Sequence, residues 1–213
     1  MKRVMNGSTT WPAGQTRLHV YVLPDLRVDG DLANLVAGCR SVTAAYPFVS
    51  PVDDRWLHAT VQMITGRPAD AVDDPTRDRL AACLRAELAD LPPFTMTAGS
   101  PIAGLGGVLL DLDQDRPGEA FHELYTRTRH AIATVLGPDA IDYVTLPPHV
   151  SVGYAKDDGE SGEVQSRLRR TVRPSHARMS VREVHLVDVV QDTTRCEYRW
   201  TPVASVPLGR VGR

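Results

Sequence analysis

A chain of 213 residues with 42 % hydrophobic and 23 % charged side chains has the composition of an ordinary globular protein. It is long enough to bury a core without disulfide or metal staples. Its formal charge of −2 excludes a surface that is basic throughout, as a general nucleic-acid coat would be, but leaves room for a local cleft. Cys39, Cys83 and Cys196 are scattered and odd in number, which excludes a disulfide framework and a zinc cluster and leads us to expect reduced thiols in a cytoplasmic protein.

In chain order, Met1 to Gln15 is polar with Gly and Pro, lacks the apolar centre of a signal peptide, and reads as a flexible N-terminal segment. The first strand is expected over Arg17 to Leu23, with Leu18, Val20 and Val22 on one face and His19 and Tyr21 on the other, ended by Pro24. Leu32, Leu35, Val36, Cys39 and Val42 then recur at helical spacing behind the cap candidates Asp29 and Asp31. A loop leads to a strand holding His58, and a second helix follows with Asp74 as its cap and Pro75 at its first position. Two strands, Phe94 to Ala98 and Gly107 to Leu112, are joined by a glycine-rich connection. Its spacing fits no phosphate-binding loop, so it reads as a turn. From Pro117 the apolar positions Phe121, Leu124, Tyr125, Ile132, Val135 and Leu136 give the clearest helix, closed by Gly137-Pro138. A strand with His149, a basic helix over about Glu160 to Thr171, and two strands near Met179 to Val190 and Arg195 to Val203 complete the chain. No run approaches the length that spans a bilayer.

Two of these strands share one pattern. His58-Ala59-Thr60-Val61 and His149-Val150-Ser151-Val152 each read histidine, apolar, hydroxyl, apolar. Alternate residues of a strand share a face at about 3.3 Å rise per residue, so each imidazole stands beside a hydroxyl. With Ser and Thr making up about one residue in eight, seven histidines yield about one such tetrapeptide by accident. Here both lie in strand-like runs, and both follow a strand and a helix and precede another helix. The two histidines are 91 positions apart (58 to 149), as a duplicated strand-helix-strand-helix lobe requires. Two such lobes about a pseudo-twofold axis would set the histidines across a central groove.

The paired tetrapeptides, with Pro148 before the second and this order of elements, resemble the 2H phosphoesterase superfamily, and within it the bacterial 2'-5' RNA ligase or RNA 2',3'-cyclic phosphodiesterase branch. The resemblance spans about Arg17 to Val203; the second motif carries Ser where Thr is commoner, which keeps the hydroxyl. It implies an α+β, bilobal, pseudo-twofold domain over residues 16–204, with two antiparallel sheets lining a cleft, helices outside, and a short tail at 205–213. It also implies opening of a 2',3'-cyclic phosphate to the 2'-phosphate, with action on 2'-5' linkages and ligation in some members.

The chemistry also follows from the residues. Opening a cyclic phosphodiester needs a base for water, an acid for the departing oxygen and donors for the non-bridging oxygens. In-line displacement puts acid and base on opposite sides of phosphorus. Histidine serves either role near neutral pH, so His58 and His149 are the expected catalytic pair, in an order the sequence leaves open. Thr60 and Ser151 would donate to the phosphoryl oxygens. No metal spacing occurs, so neither metal nor cofactor is expected. The partner is an RNA or small nucleotide bearing a cyclic phosphate or 2'-5' linkage, and the protein is expected to act as a monomer.

Gln62, two residues beyond Thr60, is expected on the same face and in reach of substrate. His19 and Tyr21 would line the groove, where an aromatic ring can stack on a base. Tyr154 falls out of phase with His149 and reads as packing. Arg167, Arg169, Arg170 and Arg173 would meet RNA only if their helix borders the groove. A binding module that senses nucleotides uses the same groove without turnover. A serine hydrolase built on Ser151 lacks the Gly-x-Ser-x-Gly elbow.

Overall fold

The computed structural model describes residues 1–7 and 10–209. Its strands are β1 (Thr16–Val22), β2 (Val49–Pro51), β3 (Ala59–Met63), β4 (Phe94–Ala103), β5 (Gly107–Leu112), β6 (His149–Ala155), β7 (His176–Val181), β8 (Glu183–Asp192) and β9 (Glu197–Pro207). The helices are α1 (Gly30–Thr43), α2 (Asp74–Glu87), α3 (Ala120–Leu136) and α4 (Ser161–Thr171).

The strands run β7-β4-β5-β6-β3-β1-β8-β9, all antiparallel, so two four-stranded halves meet at β6 and β3. The expected two sheets are these halves, fused by one backbone pairing, Ala59 with Val150. Beyond it β2 occupies the same edge of β6, pairing Val49 to Pro51 with Ala155 to Gly153. β2 thus takes the stretch of β6 that residues just before β3 would face, while most of β3 runs past the start of β6, and the sheet curls around a cleft. Reading outward from the fused pair, β3 and β6, β1 and β5, β8 and β4, and β9 and β7 are the twofold mates.

The halves are not successive in sequence. The stretch expected as one strand from Met179 to Val190 is two: β7 pairs with β4, β8 pairs with β1, and Arg182 is the single residue between them. The apolar alternation passes through this switch almost unbroken, which hides it. Helices are exchanged too. α1, which connects β1 to β3, packs on β6, β7 and α4, whereas α3, which connects β5 to β6, packs on β3 and α2. Each crossover helix therefore covers the opposite half, and one core holds both together.

Burial follows the helical spacing. Leu32, Leu35, Val36, Cys39 and Val42 are all at most 2 % exposed along α1. Asp29 does not cap that helix. Its carboxylate instead accepts from the Ser180 backbone N–H (2.9 Å) and hydroxyl (2.8 Å), tying α1 to β7. The cap of α2 is Asp73, one residue before the expected Asp74, accepting from the Thr76 N–H. β4 runs on through a bulge to Ala103, so the glycine-rich turn shortens to Gly104-Leu105-Gly106, closed by the Gly104 N–H on the Gly107 carbonyl at 2.8 Å.

The N-terminal segment, expected to be flexible, is docked. Lys2 N–H donates to the Leu105 carbonyl (2.7 Å), Val4 N–H to the Ala155 carbonyl (2.8 Å), and Met1 and Met5 are buried. One acceptor lies at the end of β6 and the other in the turn between β4 and β5. At the other end β9 continues past residue 204 to Pro207, and Leu208 is buried with its N–H on the Arg182 carbonyl.

Candidate active site

The Ala59–Val150 pairing fixes the site. Both side chains are fully buried on the helix side. Their neighbours point the other way, and continuing the antiparallel register one step each way sets His58 across from Ser151 and Thr60 across from His149. Cross-strand side chains stand about 5 Å apart and diagonal ones about 7–8 Å, so the imidazoles occupy one diagonal of a four-cornered site and the hydroxyls the other. All four line one cavity of about 490 Å³.

Each imidazole is anchored in the same way. His58 Nδ1 lies 2.9 Å from the Trp56 carbonyl and His149 Nδ1 lies 3.3 Å from the Pro147 carbonyl, in both cases the residue two before. A carbonyl only accepts, so each Nδ1 carries the proton and each Nε2 is free to work in the cavity. Their settings differ. His58 is 9 % exposed, stacked on Tyr21 at 4.1 Å between centroids and flanked by Trp200 at 5.2 Å; His149 is exposed. Burial pushes His58 down to about 4, with the charge of His149 acting in the same direction and the Trp56 carbonyl opposing it. His58 is therefore neutral at pH 7.

The structure moves one expected residue out of the site and two into it. In the β1–β3 ladder Val20 faces Gln62 and Tyr21 faces Thr60, so Val61 is an extra, bulged residue. In the β5–β6 ladder Val108 faces Gly153 and Leu109 faces Ser151, so Val152 is bulged likewise. Both bulges follow the hydroxyl residue directly, and their carbonyls are satisfied, Val61 by the Thr145 hydroxyl (2.7 Å) and Val152 by the Val52 N–H (3.1 Å). A bulge reverses the alternation of faces. Gln62 consequently leaves the cleft. It is fully buried, donating to the Met63 (2.8 Å) and Tyr143 (2.9 Å) carbonyls and accepting from Arg129 (2.8 Å). Met63 and its counterpart Tyr154 turn into the cavity. Tyr154, read from its phase as packing, shares a hydrogen bond with the Ser151 hydroxyl and sits 5.8 Å from Tyr198.

His19 and Tyr21 do line the cavity, but as its buried wall, each 1 % exposed. His19 Nδ1 and the Tyr21 hydroxyl are 2.7 Å apart, and His19 Nε2 is buried without a hydrogen-bond partner. Burial, with the charges of His58 and Arg17 adding to it, lowers His19 to about 3. The pair holds the ring of His58 more than it meets solvent. The basic helix α4 packs on α1 and β4, away from the cavity, so its arginines do not border the cleft. Among the described residues no group of three or more His, Cys, Asp or Glu is placed to hold a metal ion, and no helix is long and apolar enough to cross a membrane.

Known proteins resemble this chain in sequence profile and in fold. The sequence profile of the 2'-5' RNA ligase superfamily matches residues 28–193. Among curated proteins none matches the sequence. A solved structure of TT0787 from Thermus thermophilus superposes with a TM-score of 0.65 at 18 % identity, covering 90 % of this chain and 97 % of that one. LigT of E. coli superposes with a TM-score of 0.60 at 16 % identity, covering 92 % and 98 %. LigT has also been crystallised with NADP+, phosphate, 3'-AMP and ATP.

Proposed function

The chain belongs to the 2'-5' RNA ligase superfamily, and on that premise we propose that it hydrolyses 2',3'-cyclic phosphates of nucleotides or RNA ends to 2'-phosphates, without a metal ion. The observation that carries this reading is the four-cornered site, two Nδ1-anchored imidazoles on one diagonal and two hydroxyls on the other. The phosphate sits between them. Thr60 and Ser151 donate to its non-bridging oxygens as charge builds there. His58, neutral and with Nε2 free, takes a proton from water. The water oxygen forms a bond to phosphorus as the bond to the ribose 3' oxygen breaks on the opposite side. His149, in its protonated form, gives its Nε2 proton to that leaving oxygen. The difference in burial between the histidines supports this order, because the buried ring is the one held neutral. The nucleotides named in the LigT structures support a nucleotide ligand here.

The same groups, run in reverse, join a cyclic phosphate to a hydroxyl. Hydrolysis or formation of 2'-5' linkages is therefore the second reading, favoured by the superfamily's name. A nucleotide-sensing module is the third, and it predicts binding without turnover.

The test is incubation of the protein with 2',3'-cyclic nucleotides in buffer containing a chelator, with products identified as 2'- or 3'-phosphates. His58→Ala and His149→Ala each reduce kcat/KM by about 10²–10⁴-fold, and Thr60→Val and Ser151→Ala by about 10²–10³-fold. Near-normal turnover by either histidine variant, or activity that vanishes with the chelator, overturns the reading.

A further inference from the structure

The cavity wall carries information on the size and charge of what it takes. Among the described residues lining it there is no Lys, Arg, Asp or Glu. Three nearby arginines are engaged elsewhere, and Arg3, next to the lining Val4, is exposed outside the lining. Arg129 donates to Gln62 and to the Ile141 and Tyr143 carbonyls, Arg17 donates to the Thr65 carbonyl and lies over Trp11, and Arg199 pairs with Glu197 and Asp192. Asp111, which faces His149 across the β5–β6 ladder, adds a carboxylate close to the site.

The rim is apolar instead. Leu105, Tyr143 and Val144 are 75 %, 50 % and 62 % exposed, which is unusual for large apolar side chains, and all three line the cavity. They stand at opposite ends. The backbone of Tyr143 is bonded to Gln62, at the Met63 end of β3, whereas Leu105 is next to Gly106, whose carbonyl takes the Ala155 N–H at the Tyr154 end of β6. A groove that follows a polynucleotide combines stacking rings with cations along the backbone path. This one has the rings and apolar surface without the cations, and its 490 Å³ lies within the range of about 300–1,000 Å³ typical of sites for single small molecules.

Building on the cyclic phosphodiesterase reading, we propose that the substrate is a diester with a single phosphate, a nucleoside 2',3'-cyclic monophosphate or a 2'-5' dinucleoside monophosphate, its base against Tyr143 or Leu105. A polynucleotide end is a poor substrate. Beyond its terminal phosphate, each further phosphate meets a wall with no cation to receive it.

Turnover is measured for 2',3'-cyclic AMP, for 2'-5'-linked ApA and for a short oligoribonucleotide ending in adenosine 2',3'-cyclic phosphate, at about 50 and about 200 mM salt. At least one small ester has a kcat/KM equal to or above that of the oligonucleotide, and the salt dependence of the oligonucleotide is no steeper than that of the small ester. Which small ester leads separates the two sources of the diester. Tyr143→Ala raises KM for the preferred ester about tenfold with kcat less affected, and Tyr143→Phe restores it. A His58-dependent preference for the oligonucleotide of tenfold or more at low salt, lost at high salt, removes this inference and leaves the catalytic reading standing. Turnover of none of the three removes both.

Discussion

Replacing Tyr21 tests whether burial, and not the neighbouring charge, keeps His58 neutral. The ring of Tyr21 stacks on the imidazole at 4.1 Å and is itself 1 % exposed, so it is a large part of what separates His58 from water. In the native protein burial brings His58 down to about 4 from an ordinary value near 6.5. At pH 5 a base titrating at about 4 is about nine-tenths neutral, whereas one at 6.5 is about 3 % neutral, a difference of roughly thirtyfold in the active fraction. Tyr21→Ala opens the wall to solvent, and the acid limb of kcat/KM moves up by one to two pH units. Tyr21→Phe keeps the stacked face and loses only the hydroxyl bonded to His19, so its acid limb stays in place. The assays are the pH dependence of cyclic-nucleotide hydrolysis and a histidine NMR titration, the second of which reads His58 even when turnover is weak. Truncating a buried aromatic ring costs on the order of 3–5 kcal/mol, so folding of the Ala variant is checked in the same spectra. An Ala variant whose acid limb superimposes on that of the native protein refutes the argument, as does a native His58 that titrates near 6.5.

The two buried histidines also make the fold acid-sensitive. Both are neutral in folded and unfolded states above pH 6.5. Below it the unfolded chain takes up protons that the folded chain, with His58 at about 4 and His19 at about 3, refuses. Stability is therefore lost as pH falls from 6.5 towards 4, on the order of 3 kcal/mol per histidine by about pH 4.5, and urea midpoints at the two ends of that window measure it. An unchanged midpoint contradicts the burial. Gln62→Leu lowers the melting temperature, because it strips Arg129 and two carbonyls of a buried partner, yet leaves kcat within a few-fold; a large loss of kcat at unchanged stability would return Gln62 to the substrate. Gly107→Ala places a Cβ 2.1 Å from the Gly153 carbonyl beside the Val152 bulge and yields protein that is either unfolded or inactive, read from yield and turnover. Normal activity there would mean that the β5–β6 pairing is not as described.

The grouping of His58, Thr60, His149 and Ser151 around one cavity was legible because it depends on spacing of two within a strand, which sequence displays directly, and because the pattern occurs twice, 91 positions apart, in matching surroundings. The layout of helices was legible from their apolar stripes. What the sequence concealed was any change of phase or partner. Gln62 carries no mark that Val61 bulges, since Val-Gln-Met-Ile alternates as smoothly as a regular strand, and for the same reason Tyr154 reads as pointing away from His149. The change of partner at Arg182 is hidden because β7 and β8 both need apolar residues facing one core. The exchange of α1 and α3 between halves is hidden because a stripe shows that a helix is buried, not against which sheet.

The paired bulges explain why one chain can place the two motifs so symmetrically. A regular strand continuing past Thr60 or Ser151 would put Gln62 and Gly153 into the cleft, so that a polar amide and an absent side chain would stand at its two ends. The extra residue in each strand substitutes Met63 and Tyr154, larger groups that close the ends of the four-cornered site with apolar and aromatic surface. The two bulges flank the Ala59–Val150 contact, Val61 on the side where β6 has not yet begun and Val152 on the side where β2 takes over the edge of β6. The chemistry of the cleft's ends is thus a consequence of one backbone device used twice. Deleting Val61 would undo it on one side only. Restored alternation would turn Gln62 towards the cleft, remove one of the three acceptors of Arg129 and leave the Thr145 hydroxyl without an acceptor, so activity and stability should fall together. A deletion variant that keeps full kcat would show that the bulge does not shape the site.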